Sequence, residues 1–324
     1  MDEISLRNKT ILVTGGQGFL GSHVVVLLQK ESPKAIISPS SKEYDLRSQT
    51  VCEELMKKVK PDIVIHLAAN VGGIGYNREF PGLLFYDNLT MGVHVMHEAW
   101  KAKVKKFVAI GTICAYPKFT PVPFKEAYLW NGYPEETNAP YGLAKKMLLV
   151  QSQAYRTQYG FNSIFLLPVN LYGPGDNFDN KSSHVIPALI KKFVTAKEKK
   201  ESKVTVWGTG APTREFLYVE DGALAIVLAT KRYNKPEPVN LGSSFELSIH
   251  ELAHQIGDVV GFQGTIEFDV TKPDGQPRRK LDVSRADEEF DFKSSTSFEV
   301  GLKRTVEWYK KEFRIQNLKR HDIL

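Results

Sequence analysis

The chain of 324 residues is 42% hydrophobic and 25% charged, a composition typical of a folded globular protein and not of a disordered one. Its 43 lysines and arginines against 37 acids give a net charge of +6 without a clustered basic face, which favours a phosphate-bearing small molecule over a nucleic acid as ligand. Only Cys52 and Cys114 occur, which excludes a disulfide framework, and no apolar run approaches the roughly 18 residues of a membrane span.

The same features predict the compartment. Two cysteines without metal-ligand spacing suit a reducing cytosol. The chain begins with acidic residues where a signal peptide would carry basic ones. We therefore expect a cytoplasmic protein that binds no membrane, no nucleic acid and no metal ion.

Apolar stretches rich in β-branched residues alternate with helix-compatible stretches through the first half of the chain. In chain order, strands are predicted at residues 10–14, 35–38, 62–67, 106–110 and 162–167, and helices at 19–30, 50–59, 90–101 and 141–159. Apolar strands separated by helices indicate a parallel sheet covered on both faces.

After Pro168 the pattern becomes irregular. Strands are predicted at residues 204–207 and 239–241, and helices at 185–196, 219–230, 249–260 and 298–313. We predict an α/β protein: a Rossmann-type doubly wound parallel sheet with a smaller C-terminal α/β substrate lobe. The dinucleotide-binding domain would cover residues 1–175 and the substrate-binding lobe residues 176–324, with segments free to interdigitate.

The first turn of this pattern carries a phosphate-binding signature. The segment TGGQGFLG directly follows the first strand and opens the first helix. Glycines allow a tight turn and a close approach of the backbone to a pyrophosphate, and the helix N-terminus adds a partial positive charge. This context predicts a dinucleotide site made by Gly15, Gly18, Phe19, Leu20 and Gly21.

The residues after the second strand bear on the cofactor type. Ser38, Ser40, Ser41 and Lys42 stand where an acidic residue usually holds a cofactor that lacks the 2′-phosphate. Hydroxyls and a lysine favour NADP(H). NAD(H) remains possible, and a polar surface turn without a ligand is the alternative interpretation.

Two further segments are predicted to contact the cofactor. Asp45 and Leu46 would meet the adenine edge, although the pair also suits a helix cap. Leu67, Ala68 and Ala69 end the third strand, where small residues allow the cofactor to lie close.

A tyrosine and a lysine carry the predicted chemistry. Tyr141 and Lys145 are spaced i and i+4 in PYGLAKK, so both project from one face of a helix. A phenol near pKa 10 is a poor acid–base group at neutral pH, and we expect the ammonium to lower the pKa of Tyr141. Thr112, at the end of a strand, would hydrogen-bond a substrate carbonyl; alone it would be a helix cap.

Read with TGGQGFLG, these residues resemble the extended short-chain dehydrogenase/reductases over nearly the whole chain. Within them the chain is most similar to the GDP-L-fucose synthase family, which epimerises and reduces GDP-4-keto-6-deoxy-mannose. The similarity rests on the ordered motifs GTICAYPK, EETNAPYGLAK, PVNLYGPGDNF, SHVIPALIKKF, VWGTGAPTREFLYVED and KPDGQPRRKLD. It implies a GDP-sugar substrate and a homodimer formed through the helices at 90–101 and 141–159.

The resemblance also implies residue roles. It assigns Thr112, Tyr141 and Lys145 to hydride transfer, with Tyr141 and Lys145 also contacting the cofactor, and Cys114 and His184 to epimerisation. A C4 ketone acidifies the C3 and C5 protons, so a thiol base and a histidine acid suit that chemistry. Without the family pattern, Cys114 would be a small buried hydrophobe and His184 a helix cap. Substrate contacts are implied at Asn170, Lys192, Trp207, Arg214 and Lys272.

Some positions depart from the family pattern. Ile113 stands where a second serine is common, Gln17 where the phosphate turn commonly has arginine, and Lys192 where arginine is common. Ile113 cannot hydrogen-bond a sugar hydroxyl, which keeps open a related hexose or heptose, or a C4-reductase without epimerase activity. Gln17 removes one potential partner of a 2′-phosphate.

The predicted function is therefore NADP(H)-dependent epimerisation and C4-keto reduction of a GDP-4-keto-6-deoxy-sugar. An NAD-dependent nucleotide-sugar 4-epimerase or 4,6-dehydratase is the alternative enzyme, although dehydratases carry an acid pair where Ile113 and Cys114 stand. A non-catalytic NAD(P)-sensing regulatory protein on the same fold is the alternative from another class. The complete set of Thr112, Tyr141 and Lys145 weighs against it.

Overall fold

The structure is a computed structural model that describes residues 3–272 and 274–321, with side chains to residue 314. Its strands are β1 (Thr10–Thr14), β2 (Ala35–Ile37), β3 (Ile63–His66), β4 (Lys106–Ile110), β5 (Ser163–Pro168), β6 (Asn170–Tyr172), β7 (Lys203–Trp207), β8 (Thr213–Tyr218), β9 (Val239–Leu241), β10 (Glu246–Ser248), β11 (Thr265–Asp269) and β12 (Arg278–Arg279). Its helices are α1 (Phe19–Gln29), α2 (Gln49–Val59), α3 (Ile74–Glu79), α4 (Pro81–Lys101), α5 (Ala139–Tyr159), α6 (Val185–Glu198), α7 (Val219–Arg232), α8 (Ile249–Val260), α9 (Ser284–Phe290) and α10 (Phe298–His321).

A six-stranded parallel sheet forms the larger part of the fold, in the order β2-β1-β3-β4-β5-β9. Every residue of β3 and β4 is buried, as expected for strands covered by helices on both faces. The chain adds β2 on one side of β1 and β3 on the other, so the carboxyl ends of β1 and β3 flank the topological switch point where such sheets bind ligands. The predicted Rossmann-type α/β fold is confirmed.

A second, smaller core lies in the second half of the chain. β8 pairs with β6, β10 and β12, β7 pairs with β11, and α6, α8 and α10 pack around them. This core is rich in aromatic side chains, among them Tyr172, Phe193, Phe216, Tyr218 and Phe298. The ends of β6, β7 and β8 carry the predicted substrate-side residues Asn170, Trp207 and Arg214, while Lys192 lies on α6.

The two units share segments in space. β9 pairs with β5 as the last strand of the main sheet, and α7 packs against α1. Leu281 and Phe292, near the end of the chain, are buried in the main core. Residues 1–175 and 176–324 are therefore not two separately packed units, because parts of the second segment complete the core of the first. The predicted boundary follows the order of the chain and not the packing.

Several element bounds differ from the prediction for local reasons. The fourth helix is predicted from residue 90, whereas α4 begins at Pro81, whose fixed φ and missing N–H suit the first turn of a helix. The prediction omits the helices α3 and α9 and the strands β6, β8, β10, β11 and β12. Around α3, β6 and β8, glycine, proline and asparagine residues obscure the apolar pattern.

The last helix is longer than its pattern indicates. α10 reaches His321, beyond the predicted end at residue 313, and carries charged residues along its length. Among the described residues, no helix combines the length and the apolar character that crossing a bilayer requires.

Candidate active site

The glycine turn after β1 forms a cradle at the carboxyl end of the main sheet. Gly15 has a φ of +71°, and a Cβ there would lie 2.7 Å from the backbone nitrogen of Ala68. A Cβ on Gly21 would lie 2.0 Å from the carbonyl oxygen of Gly15. α1 begins at Phe19 with Gly18 as its N-cap and no capping side chain, so its first N–H groups face outward for an anion. The turn fits the pyrophosphate of a dinucleotide, with Leu20 in the same helical turn.

The end of β2 lies beside this cradle. The hydroxyl of Ser38 is buried and has no hydrogen-bond partner among the described residues, and a Cβ on Gly16 would lie 2.3 Å from it. Gln17 Nε2 donates to the Ser38 carbonyl oxygen at 2.9 Å, so its side chain closes the edge of the turn. Further along the same segment lie the half-buried Ser40 and the exposed Ser41 and Lys42.

Asp45 and Leu46 are engaged within the protein. Arg47 donates from Nη2 to Asp45 Oδ2 at 2.8 Å and from Nη1 to Asp87 Oδ1 at 3.3 Å. Leu46 is 7% exposed and packs in the main core, which leaves only its backbone for an adenine. The Asp45 carboxylate faces solvent and remains accessible beside its arginine.

β3 ends in a buried histidine. His66 Nδ1 lies 2.7 Å from Thr14 Oγ1, while Nε2 has no partner among the described residues. Burial, together with the charge of Lys145, lowers the pKa of His66 to about 3, so the ring is neutral at physiological pH. The same sheet edge continues through Leu67, Ala68 and Ala69.

Close packing of α5 brings the predicted tyrosine to the end of β4. A Cβ on Gly142 would lie 2.3 Å from the carbonyl oxygen of Cys114, so α5 lies directly against the 3-10 turn that follows Thr112. The side chain of Tyr141 is half-buried and hydrogen-bonds with Thr112. Lys145, only 2% exposed, lies one helical turn further along α5. The structure thus brings together the predicted reduction residues.

The electrostatics of this group differ from the expectation. Burial raises the pKa of Tyr141, the charge of Cys114 adds to the rise, and the hydrogen bond with Thr112 opposes it. Burial also lowers the pKa of Lys145 to about 8. Removing each group from water disfavours its charged form. The prediction that Lys145 lowers the pKa of Tyr141 is therefore wrong for this structure.

Cys114 lies between an amide and a guanidinium. Its thiol donates to Asn138 Oδ1 at 3.6 Å, and Arg279 Nη1 donates to Cys114 Sγ at 3.7 Å. The same Asn138 oxygen accepts from Asn77 Nδ2 at 3.1 Å, and Asn138 Nδ2 donates to Glu135. Polar contacts on both sides make Cys114 unlike a small buried hydrophobe.

His184 precedes α6 without capping it through its side chain. The residue retains solvent exposure, yet the surrounding protein lowers the pKa of its imidazole through desolvation. In the same loop, the Ser182 carbonyl oxygen accepts from Gly73 N at 3.0 Å. Gly73 precedes α3, which carries Asn77, the partner of Asn138. The loop that contains His184 therefore reaches the end of the sheet where Cys114 lies.

Trp207 is an exposed aromatic residue flanked by cations. Its side chain is 63% exposed at the end of β7, which rules out a core position. Lys192 Nζ lies 5.6 Å and Lys272 Nζ 5.7 Å from the ring centroid, within cation–π distance. Lys192 also donates to the Thr205 carbonyl oxygen at 3.0 Å. The arrangement suits a planar ligand that carries negative charge.

Arg214 extends this cationic surface towards Cys114. Its Nη1 donates to the Thr213 carbonyl oxygen at 2.7 Å, and its Nη2 to the Asp274 carbonyl oxygen at 3.5 Å. Burial and the charge of Arg279 lower the pKa of Arg214 to about 10, against the opposing charges of Cys114 and Asp274. Positive charge is therefore concentrated beside the thiol.

Ile113 is placed differently from the expectation, whereas the predicted role of Asn170 is not tested. The side chain of Ile113 is 3% exposed and packs in the main core, so it does not face a sugar. The argument against epimerase activity that rests on this isoleucine is therefore wrong. Asn170 Nδ2 donates to the Glu215 carbonyl oxygen at 3.2 Å, which commits part of its amide to joining β6 with β8.

The residues around Cys114 are missing from the sequence prediction. Asn138 lies in the motif EETNAPYGLAK and Arg279 in KPDGQPRRKLD, so these motifs could have indicated both residues. No sequence motif indicates Asn77. Over residues 3–272 and 274–314, no group of three His, Cys, Asp or Glu side chains is arranged to hold a metal ion.

A separate cavity of about 670 Å³ lies in the smaller lobe, between β8, α8 and the start of α10. Its wall includes Tyr172, Tyr218 and Phe298, and it contains no predicted site residue. The candidate active site is instead the region at the carboxyl end of the main sheet, between the glycine turn and Cys114, which we call the cleft.

Comparison with known proteins identifies the family of the chain. The model of the NAD dependent epimerase/dehydratase family matches residues 11–242. GDP-L-fucose synthase 1 of Arabidopsis thaliana is 40% identical over 96% of this chain and 96% of its own length. The GDP-L-fucose synthase of Sinorhizobium fredii is 43% identical over 93% of this chain and 96% of its own length.

Solved structures show the same architecture. A GDP-L-fucose synthetase from Naegleria fowleri bound to NADP has a TM-score of 0.88 and 31% identity, covering 97% of this chain and 98% of that one. A GDP-6-OMe-4-keto-L-xylo-heptose reductase from C. jejuni has a TM-score of 0.90 and 28% identity, covering 96% and 99%. The chain belongs to the NAD-dependent epimerase/dehydratase family.

Proposed function

We propose that this chain is an NADP(H)-dependent enzyme that epimerises and then reduces a GDP-4-keto-6-deoxy-sugar. The observation that carries the proposal is that Thr112, Tyr141 and Cys114 meet where α5 packs on the end of β4. A proton donor for reduction thus lies beside a thiol suited to removing a proton. Identities of 34–43% with GDP-L-fucose synthases over most of the chain support the substrate class.

The cofactor proposal rests on the cradle. The glycine turn and the N-terminus of α1 would hold the pyrophosphate, and Ser38, Ser40 and Lys42 would face a 2′-phosphate. When bound, NADPH supplies the hydride. The unpartnered, buried Ser38 hydroxyl supports a ligand at this point, because a buried hydroxyl without a partner costs free energy.

The chain's own residues would move the proton in the reduction. Thr112 donates a hydrogen bond to the C4 carbonyl oxygen, and Tyr141 gives that oxygen its phenolic proton. The raised pKa of Tyr141 keeps the phenol protonated, as a donor must be. Because Lys145 has a pKa of about 8, it can pass a proton on to Tyr141 after each turnover.

Epimerisation would use Cys114, which lies beside Tyr141, together with His184. Cys114, as thiolate, removes a proton from the carbon beside the ketone, and the electron pair moves into the enolate. His184 returns a proton to the opposite face. The lowered pKa of His184 makes its imidazolium a stronger acid, which suits this step.

The nucleotide would lie along the cationic surface. We infer that the exposed face of Trp207 stacks on the guanine and that Lys192, Lys272 and Arg214 neutralise the diphosphate. Asn170 would contribute the remaining part of its amide to the sugar. This arrangement explains why a large aromatic ring stands exposed between two ammonium groups.

A C4-reductase that does not epimerise is the second candidate. It is favoured by the similarity to the heptose reductase from C. jejuni. The contacts of Cys114 with Asn138 and Arg279 weigh towards the epimerase, since a reductase has no use for a thiol held between polar groups.

Product NMR in D2O separates the two candidates. The wild-type protein, incubated with NADPH and GDP-4-keto-6-deoxy-mannose, should give a reduced product with deuterium at C3 and C5. Cys114→Ser should reduce the ketone without deuterium uptake, because a serine hydroxyl is far harder to ionise than a thiol. His184→Asn should permit partial exchange with little epimerised product. Reduction by the wild-type protein with no deuterium in the product would leave only the reductase.

The oligomeric state and compartment extend the proposal. We propose a homodimer through α4 and α5, which pack on each other and expose Leu83, Phe85, Tyr86 and Val150 at 43%, 40%, 59% and 44%. We also propose a cytoplasmic protein, which the unpaired cysteines support. Light scattering should give twice the chain mass, and Tyr86→Lys should return it to the single-chain mass.

A further inference from the structure

Arg279 is a nearly buried arginine that no step above uses. It is 8% exposed and lies on β12, paired with Arg214 on β8. Its Nε donates to Gln276 Oε1 at 2.8 Å, and Gln276, 6% exposed, donates from Nε2 to the Lys118 carbonyl oxygen at 2.8 Å. Lys118 follows the turn that carries Cys114. The guanidinium is therefore fixed relative to that turn.

The two contacts of Cys114 Sγ have opposite effects on its ionisation. Asn138 Oδ1 accepts a hydrogen bond from the thiol, which favours the protonated sulfur. Arg279 Nη1 donates to the sulfur at 3.7 Å, and a charge-assisted hydrogen bond of this kind strengthens when the acceptor becomes an anion. Arg279 is thus the contact that favours the thiolate.

The charges around the sulfur come from several elements. Arg214 on β8 interacts with the charges of Arg279 on β12 and of Cys114 itself, and also with those of the acidic Asp274 and Glu135 in neighbouring loops. Glu135 is occupied by Thr137 and Asn138, and Asp274 by Thr209. Within the part of the chain that the structure describes, Arg279 is the charged side chain that hydrogen-bonds Cys114.

We propose that Arg279 is a positioning residue that holds Cys114 Sγ as the thiolate for proton abstraction, and that Gln276 orients Arg279 for this task. The inference rests on the proposed epimerase function. In the step it serves, the substrate C–H bond breaks, an S–H bond forms, and the electron pair enters the enolate without any change of oxidation state. Solvent then takes the proton from sulfur, and Arg279 again faces the anion.

The rate of thiol alkylation measures the reactivity of Cys114 in the absence of substrate. At one fixed pH, iodoacetamide should label Cys114 of the full-length protein about 10- to 100-fold more slowly in Arg279→Met, the range that loss of a hydrogen bond to a charged group corresponds to. Cys52 is fully buried, and burial raises the pKa of its thiol to about 12, so it should not contribute. Cys114→Ser gives the background rate.

Arg278→Met is the matched control. Arg278 is the next residue, is exposed, and pairs with Glu246 at 2.7 Å on the side away from the thiol. Its loss should leave both alkylation and deuterium exchange at the wild-type rates. Arg279→Lys keeps a charge in the buried site and should recover part of the alkylation rate, which protects the test if Arg279→Met folds poorly.

Turnover distinguishes positioning from substrate binding. Arg279→Met should lower kcat for deuterium exchange about 10- to 100-fold with little change in KM, whereas a purely substrate-binding arginine would mainly raise KM. Wild-type alkylation in both Arg279→Met and Arg279→Lys would overturn the inference. The proposed function fails separately: it falls if Cys114→Ser still exchanges deuterium, whatever the arginine variants do.

Discussion

The cofactor side and the substrate side of the cleft are built in different ways. On the cofactor side, the chain between Gly15 and Gly21 makes the cradle with its backbone, and a side chain on either glycine would collide with neighbouring backbone atoms. On the substrate side, Cys114 is held by Asn138 and Arg279, which come from distant segments of the chain. The cofactor side therefore depends on local backbone geometry, and the substrate side depends on contacts between side chains.

This difference sets how each side responds to change. A backbone cradle depends on the absence of side chains, so adding one methyl group damages it. A side-chain assembly depends on individual hydrogen bonds, so single substitutions there should change one chemical step and leave the others. Tyr141 lies where the two sides meet, because its helix packs on the turn that carries Cys114.

The largest effect is expected at that meeting point. Tyr141→Phe should lower turnover by roughly 10²-fold or more, the scale of a positioned proton donor, while deuterium exchange through Cys114 continues. NADPH affinity should stay near that of the wild type, because the cradle is untouched. The rate of NADPH oxidation with the keto-sugar measures the first effect, and fluorescence titration the second.

Tyr155→Phe provides the control on the same helix. Its hydroxyl bonds His97 Nδ1 at 2.7 Å where α5 packs on α4, away from the cleft. It should reduce the keto-sugar at the wild-type rate. Reduction by Tyr141→Phe at the rate of this control would remove Tyr141 from the proposed mechanism.

The comparison also explains what the sequence could predict. The strand-turn-helix with TGGQGFLG is contiguous, so the parallel fold and the cradle follow from local pattern and glycine chemistry. The pairing of Tyr141 with Lys145 follows from helical spacing. The partners of Cys114 cannot be predicted in this way, since Asn138 and Arg279 approach the thiol only after folding. The raised pKa of Tyr141 could not be predicted from the sequence either, because it results from burial, and burial depends on the packing of α5 against the turn after Thr112.

A smaller effect, confined to the cofactor side, is expected from Gly21→Ala. The added Cβ would lie 2.0 Å from the Gly15 carbonyl oxygen and 2.7 Å from Gly16 Cα, so the turn must shift. We expect a cost of about 1–3 kcal/mol in stability and a loss of about tenfold in NADPH affinity, measured by thermal melting and by fluorescence titration. Alkylation of Cys114 should not change.

Gly82→Ala is the control for this substitution. A Cβ there meets no atom within 4 Å, and the residue lies in α4. Alanine should leave NADPH affinity unchanged and stabilise the helix by up to about 1 kcal/mol. Equal NADPH affinity in Gly21→Ala and Gly82→Ala would mean that the turn is not the phosphate cradle.

The smallest expected effect tests the end of β2, where the cofactor side depends on side chains instead of backbone. Lys42 is exposed to solvent. Glu43, the next residue, accepts a hydrogen bond from Ser40 at 3.1 Å, so a carboxylate lies close to the ammonium group of Lys42 in the sequence. Lys42→Ser should weaken NADPH binding about three- to tenfold and leave NADH binding unchanged, because an exposed charge contributes little and only one cofactor carries the 2′-phosphate. The difference should shrink in high salt, which screens exposed charges. Lys34→Ser, at the opposite end of β2, should bind both cofactors as the wild type does. If Lys42→Ser weakens NADH as much as NADPH, this segment supports the fold and does not select the cofactor.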